Sequence, residues 1–103
     1  MCNYAVAHFE FDDCAIDLLL NLIHPILAFA KRPLEGQIIF EFVDCPKLAE
    51  AFSATGIYTI ASREELNRPL LQEMWKDLTL AEQKSVRYFR PKRVGDLIFN
   101  YWD

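Results

Sequence analysis

The chain has 103 residues, of which 52% are hydrophobic and 25% are charged, and its formal net charge at pH 7 is −4. This length limits it to one domain, and a content of three glycines and five prolines excludes a long disordered linker. An acidic chain repels phosphate at a distance, which argues against nucleic-acid binding. We expect one globular domain over residues 1–103, of α/β or α+β class, with about three strands covered by four to five helices.

Cysteine usage and the absence of a long apolar segment both indicate a cytoplasmic protein. The three cysteines form no C-x-x-C pair: Cys2, Cys14 and Cys45. An odd number of thiols cannot all pair within one chain, which favours a reducing compartment. The apolar segment 15–30 is shorter than a membrane span and is interrupted by Asp17 and Pro25. It predicts a buried helix and no contact with a membrane.

The first half of the chain predicts a strand, a helix and a second strand. Residues 3–11 alternate as a strand does, with alanines and phenylalanines on one face. Asp12 or Asp13 could then cap a helix over 15–30, whose apolar residues follow helical spacing and which Pro25 should kink. Residues 37–43 are β-branched and aromatic and predict the second strand.

The second half predicts short helices with recognisable ends. Asp44 or Cys45 should begin a helix with Pro46 in its first turn, and residues 57–60 should form a short strand. Capping boxes are expected at 62–65 and 79–82. Residues 94–102 favour a final helix, while a strand that places their aromatic side chains together is the alternative.

The negative charge is concentrated in the first half of the chain. Residues 1–50 carry three lysines and arginines against eight carboxylates, or −5, whereas residues 51–103 carry eight against seven, or +1. If the strands at 3–11 and 37–43 run parallel, Asp12, Asp13 and Asp44 gather at one edge of the sheet. Helix capping alone explains these aspartates equally well, and an antiparallel arrangement stays open.

Metal-based and catalytic interpretations are less favoured. Paired acids after a first strand and an acid after a later strand are similar to the Mg²⁺ pocket of receiver domains, but the chain is short and lacks a clearly placed lysine. His8 and His24 form no close ligand pair of the kind that zinc sites show. No catalytic motif is present, so we predict no catalytic residue, metal or cofactor.

Two segments of the second half allow a binding role or a structural one. A basic run between Lys84 and Arg93 contains Tyr88 and Phe89, a pattern that can hold single-stranded nucleic acid. In an acidic domain, a solvated helix end is the simpler interpretation. The aromatic tail, with Phe99, Tyr101 and Trp102, either completes the core or anchors an interface.

The C-terminal stretch 90–103 resembles the ending of small bacterial immunity proteins of contact-dependent and other polymorphic toxin systems. That resemblance implies stoichiometric inhibition of a cognate toxin, often a nuclease. We expect a basic partner, with the chain a monomer alone and a heterodimer with that partner. The predicted contacts are the carboxylates and two aromatic anchors: Glu10, Asp12, Asp13, Glu41, Asp44, Tyr4 and Tyr58. One alternative is a regulatory or adaptor domain, of which a homodimer formed through the aromatic tail would be one form. The other is a small Mg²⁺-dependent enzyme or receiver-like domain.

Overall fold

The computed structural model describes residues 3–11, 14–32, 40–71, 76 and 78–99. These residues form one α+β domain. In chain order its elements are β1 (Tyr4–Phe11), β2 (Cys14–Asn21), β3 (Ile26–Lys31), β4 (Phe42–Val43), α1 (Pro46–Ser53), β5 (Thr59–Ile60), α2 (Arg63–Leu66), α3 (Leu80–Phe89) and α4 (Val94–Ile98).

The strands form one sheet in which most pairs are antiparallel. β1, β2, β3 and β4 lie in that order, and each runs antiparallel to its neighbour. The short β5 pairs with β3 in parallel, beside Ile26 and Leu27, whereas β4 pairs beside Phe29 and Ala30. β4 and β5 therefore share the side of β3 that β2 leaves open, and among the described strands β1 pairs with β2 alone and is an edge strand.

The predicted helix over 15–30 is wrong, because this segment forms β2, a turn and β3. Leu18 and Leu19 are both buried, although neighbouring side chains of a strand point to opposite faces. A strand covered on both faces is apolar at consecutive positions, and this run imitates the spacing of a helix. Pro25 lies in the connection between the two strands, where a missing backbone N–H costs nothing to the sheet.

The expected parallel pairing of the segments 3–11 and 37–43 is also wrong. Within the described residues, the second segment contributes β4 alone, which is two strands away from β1. Three successive antiparallel pairings give β1 and β4 opposite directions. The carboxyl end of β1 and the carboxyl end of β4 therefore lie at opposite ends of the sheet.

Each face of the sheet has its own core. On the first face, Leu19, Ala28, Ala30 and Phe42 pack against Leu66 of α2 and against Phe99, which follows α4. On the second face, Leu18, Leu27 and Phe29 pack with Cys45 and are flanked by residues of α1. β2 and β3 contribute to both cores, so the helices packed on the first face and α1 on the second are joined through the same two strands.

Local signals in the second half of the chain are confirmed. The predicted capping boxes are present at Ser62 with Glu65 and at Thr79 with Glu82. The final helix is present as α4, although it covers only part of 94–102. Cys45 occupies the N-cap position of α1, but its side chain makes no capping hydrogen bond. Among the described residues, no helix has both the length and the apolar character needed to cross a membrane.

Candidate functional site

Two of the predicted contact residues, Glu10 and Glu41, are exposed at the same end of the sheet, where β1 and β3 finish and β2 and β4 begin. Each is paired with a basic side chain. A Glu10 carboxylate oxygen lies 2.8 Å from Nη1 of Arg32. A Glu41 carboxylate oxygen lies 3.0 Å from Nζ of Lys31. These pairings locally neutralise two of the eight carboxylates of residues 1–50, whose net charge of −5 already includes Lys31 and Arg32.

Asp44 does not lie with Glu10 and Glu41. It follows β4, and its carboxylate accepts a hydrogen bond of 2.9 Å from the backbone N–H of Arg63 at the start of α2. It therefore links β4 to α2 and does not cap α1. Asp12 and Asp13, the other two predicted contacts, lie outside the described residues. The expected gathering of Asp12, Asp13 and Asp44 at one edge of parallel strands has lost its structural basis.

A buried carboxylate, which the sequence did not indicate as a site residue, joins side chains at the same end of the sheet. Asp17 of β2 is 5% exposed at its side chain, and its Oδ1 lies 2.6 Å from Nδ1 of His8. The same oxygen accepts a hydrogen bond of 3.2 Å from Nε of Arg32. His8 and Asp17 are opposite each other in the register of β1 and β2, so this pair could have been predicted from the hairpin.

The two carboxylates beside Arg32 favour its protonated, positively charged form. Hydrogen bonds to Glu10 and then to Asp17 raise the pKa of the Arg32 guanidinium above its ordinary value. With both carboxylates ionised, this contribution to folding stability is present below the ordinary arginine pKa, and it is lost as the pH rises through the raised pKa of Arg32. Since Asp17 is shared between His8 and Arg32, its evident role is to hold β1, β2 and the end of β3 together.

The two predicted aromatic anchors are both half-buried within the domain. Tyr4 packs edge-on against Phe40 and Phe99, with ring centroids 5.4 and 6.3 Å apart. Tyr58 packs edge-on against Phe52 of α1 at 6.2 Å. Both rings therefore support the two cores, and only their half-exposed parts are accessible to a partner.

Three strongly exposed apolar side chains lie at the end of the sheet opposite to Glu10 and Glu41. Leu22 and Ile23, in the turn between β2 and β3, are 61% and 73% exposed, and Ile57, just before β5, is 65% exposed. The backbone N–H of Thr59 donates to the carbonyl of Pro25, which brings the approach to β5 beside this turn. We call Leu22, Ile23 and Ile57 the apolar end. The sequence pattern does not reveal it, because a helix over 15–30 would contain no turn at Leu22 and Ile23.

A cavity of about 380 Å³ lies beside the apolar end, between the sheet and helices α3 and α4. Ile23, Leu78 and Leu97 form part of its apolar wall, and His24, Glu82 and Ser85 form part of its polar rim. Asn21 fixes the geometry here, because its side-chain amide donates to the carbonyl of Ile98 at 2.7 Å. The turn that carries Leu22 and Ile23 is thus connected to α4 by this hydrogen bond.

The basic run of the second half is partly neutralised within the domain. Arg93 pairs with Asp96 and donates a hydrogen bond to the side chain of Asn67. The Arg93 guanidinium also lies 4.8 Å from the centre of the Phe42 ring. Arg93 therefore acts as a packing residue on the first face of the sheet.

Comparisons with known proteins and a search for metal ligands identify no established site. No family model, curated protein or solved structure matches this chain. In the part of the chain that the structure describes, no group of three histidine, cysteine or acidic residues could hold a metal ion.

Proposed function

We propose that this chain is a non-enzymatic protein-binding domain that contacts its partner through the apolar end. The observation that carries this proposal is the exposure of Leu22, Ile23 and Ile57 at one end of the sheet. Adjacent exposed apolar side chains are characteristic of protein-interaction surfaces. The neighbouring cavity could receive an apolar side chain of the partner, since anchors at interfaces fill pockets of this kind.

The net charge favours a cationic partner. At −4, the whole domain attracts a basic protein over distances at which individual contacts are not yet formed. Exposed carboxylates such as Glu10 and Glu41 would then increase the association rate, although their pairing with Arg32 and Lys31 reduces this effect. Inhibition of a basic toxin in the cytoplasm, as immunity proteins perform it, is the specific form of binding that we propose.

The test is binding of the purified chain to the protein encoded by the adjacent gene, measured by surface plasmon resonance at several salt concentrations. The double variant Leu22→Ser/Ile23→Ser should weaken binding about tenfold or more, because central apolar anchors each contribute more than about 1 kcal/mol. Leu80→Ser is the matched control, since Leu80 is 83% exposed on α3 and lies outside the apolar end. It should leave the dissociation constant unchanged.

The charge-based part of the proposal has its own variants. Glu10→Gln and Glu41→Gln should slow association at low salt and leave dissociation nearly unchanged. An association rate that does not depend on ionic strength would contradict electrostatic attraction. Equal weakening by the turn variant and by Leu80→Ser would exclude the apolar end, and no binding at all would exclude the inhibitor form of the proposal.

A regulatory or adaptor domain would use the same surface toward a different protein. Binding to a cellular protein with no binding to the adjacent gene product would favour that alternative. The receiver-like or Mg²⁺-dependent alternative depended on three aspartates at one sheet edge. Because β1 and β4 run in opposite directions, no observation favours it over a binding role.

A further inference from the structure

β1 is an edge strand whose outer side is open within the described part of the chain. It pairs with β2 alone, in a register that runs without a bulge from Tyr4 opposite Asn21 to Phe11 opposite Cys14. Ala5, Ala7 and His8 are exposed, and Val6 is 42% exposed. Eight residues make a long edge, because a typical strand has five or six.

The hydrogen-bonding pattern shows which backbone groups point outward. The N–H of Leu22 donates to the carbonyl of Asn3 at 2.8 Å, so these two residues form a hydrogen-bonded pair. Hydrogen-bonded pairs alternate along an antiparallel ladder, which directs the backbone groups of Ala5, Ala7 and Phe9 toward β2. The N–H and carbonyl groups of Val6, His8 and Glu10 consequently point away from the sheet.

Features that normally prevent an edge strand from pairing are sparse in β1. It contains neither lysine nor proline, and its register shows no bulge. Glu10 is the only acidic residue, and it lies near one end of the strand. Natural sheets protect exposed edges with charged residues, prolines or bulges, and an edge without them pairs readily with another strand.

We propose that two copies of this chain associate by antiparallel pairing of their β1 strands, which extends the sheet across a two-fold axis. The strand is self-complementary when Ala7 of one copy lies opposite Ala7 of the other. In that register Val6 pairs with His8 of the second copy, and their outward backbone groups form the hydrogen bonds. The small Ala7 side chains allow close approach at the axis.

The proposed register keeps the acidic side chains of the two β1 strands apart, so the strand itself does not oppose a second copy, although each domain carries a net charge of −4. In the register centred on Ala7, Glu10 of each copy lies opposite Tyr4 of the other. The two Glu10 carboxylates are then six residues apart along the paired strands, roughly 20 Å, so they do not repel strongly. A parallel pairing in register would instead place like charges side by side. This proposal is independent of the partner proposed above, and it differs from the monomer that the sequence predicted.

The first experiment is sedimentation velocity on the full chain from a few micromolar to several hundred micromolar. Pairing of one strand buries a small area, so we expect a reversible dimer with micromolar affinity. Val6→Pro should abolish the dimer, because it removes an outward N–H that β1–β2 pairing does not use. Leu80→Lys, at an exposed position of α3 that is not part of β1, should leave it intact. A protein that remains monomeric at the highest concentration would overturn the proposal.

Two cysteine variants test the register by disulfide cross-linking. In a background carrying Cys2→Ser and Cys14→Ser, Ala7→Cys should form a disulfide-linked dimer under mild oxidation, because two facing residues at the axis have the spacing that a disulfide needs. Ala5→Cys should not, since the proposed register places it opposite Phe9. Equal cross-linking of both variants would overturn this register. A monomer whose binding to another protein is lost in Val6→Pro would show that a foreign strand, and not a second copy, occupies the edge.

Discussion

Gly95 shows how one residue without a side chain permits the packing of the first face. A Cβ built at this position would lie 2.4 and 2.5 Å from two ring atoms of Phe42, which is 1% exposed. The ring cannot move freely in a packed core, so Gly95→Ala should destabilise the domain by about 1–3 kcal/mol. Urea unfolding followed by circular dichroism measures this change.

Gly56 provides the matched control for that substitution. It has a φ of +70°, but a Cβ there would meet no atom within 4 Å. Gly56→Asn should cost less than about 1 kcal/mol, because asparagine tolerates the left-handed conformation better than most residues. If both variants are equally unstable, backbone conformation and not contact with Phe42 determines the loss at Gly95.

Asp17 and Glu10 share Arg32, which allows a buried carboxylate to be compared with an exposed one. Asp17→Asn should lower the free energy of unfolding by about 1–3 kcal/mol, because charge-assisted hydrogen bonds to a buried group are lost. Glu10→Gln should cost less than about 1 kcal/mol, as is usual for an exposed ion pair. Chemical denaturation at pH 7 compares them, and equal losses would contradict the central role of Asp17.

At the scale of elements, the turn between β2 and β3 is held by one side chain. The Asn21 carbonyl oxygen accepts hydrogen bonds from the backbone N–H groups of Ile23 and His24, and its amide donates to Ile98. Asn21→Ala should destabilise the domain by about 2–3 kcal/mol, since three hydrogen bonds of about 1 kcal/mol are lost. It should also accelerate hydrogen exchange at the amides of Ile23 and His24.

Asn3→Ala is the matched control for the turn. The Asn3 side chain donates to the same Ile98 carbonyl at 2.9 Å, whereas the backbone N–H groups of Ile23 and His24 donate to Asn21. It should cost less than Asn21→Ala and leave exchange in the turn unchanged. Faster exchange in both variants would mean that the contact with α4, and not the bonds within the turn, holds the apolar end in place.

The sequence predicted the elements whose signals are local. The capping boxes at Ser62 and Thr79 need only four consecutive residues, and both are present. The segment 15–30 was misassigned because Leu19 and Leu20, which point to opposite faces of a sheet, also satisfy helical spacing. Burial on both faces depends on helices far along the chain, which no local pattern shows.

The same distinction separates the predictable and the unpredictable parts of the site. Acidic residues could be counted from the sequence, but the pairing of Glu10 with Arg32 depends on the registers of β1, β2 and β3, and that of Glu41 with Lys31 depends on the pairing of β3 with β4. The apolar end likewise depends on the approach of Ile57 to the β2–β3 turn. Once the strand order is known, both follow from residue numbers.

At the scale of the whole molecule, the two cores share β2 and β3, which should make the domain unfold as one unit. Phe99→Ala removes a ring that is 2% exposed in the first core, and it should cost about 3–5 kcal/mol. Phe52→Ala, on the second face, removes a half-buried ring and should cost less. In both variants the far-ultraviolet and near-ultraviolet circular dichroism transitions should coincide, because loss of the first core exposes Leu19 and loss of the second exposes Leu18, and both residues belong to β2. Separate transitions in the Phe99→Ala variant would show that the second core folds without the first, and that sharing β2 does not couple the two faces.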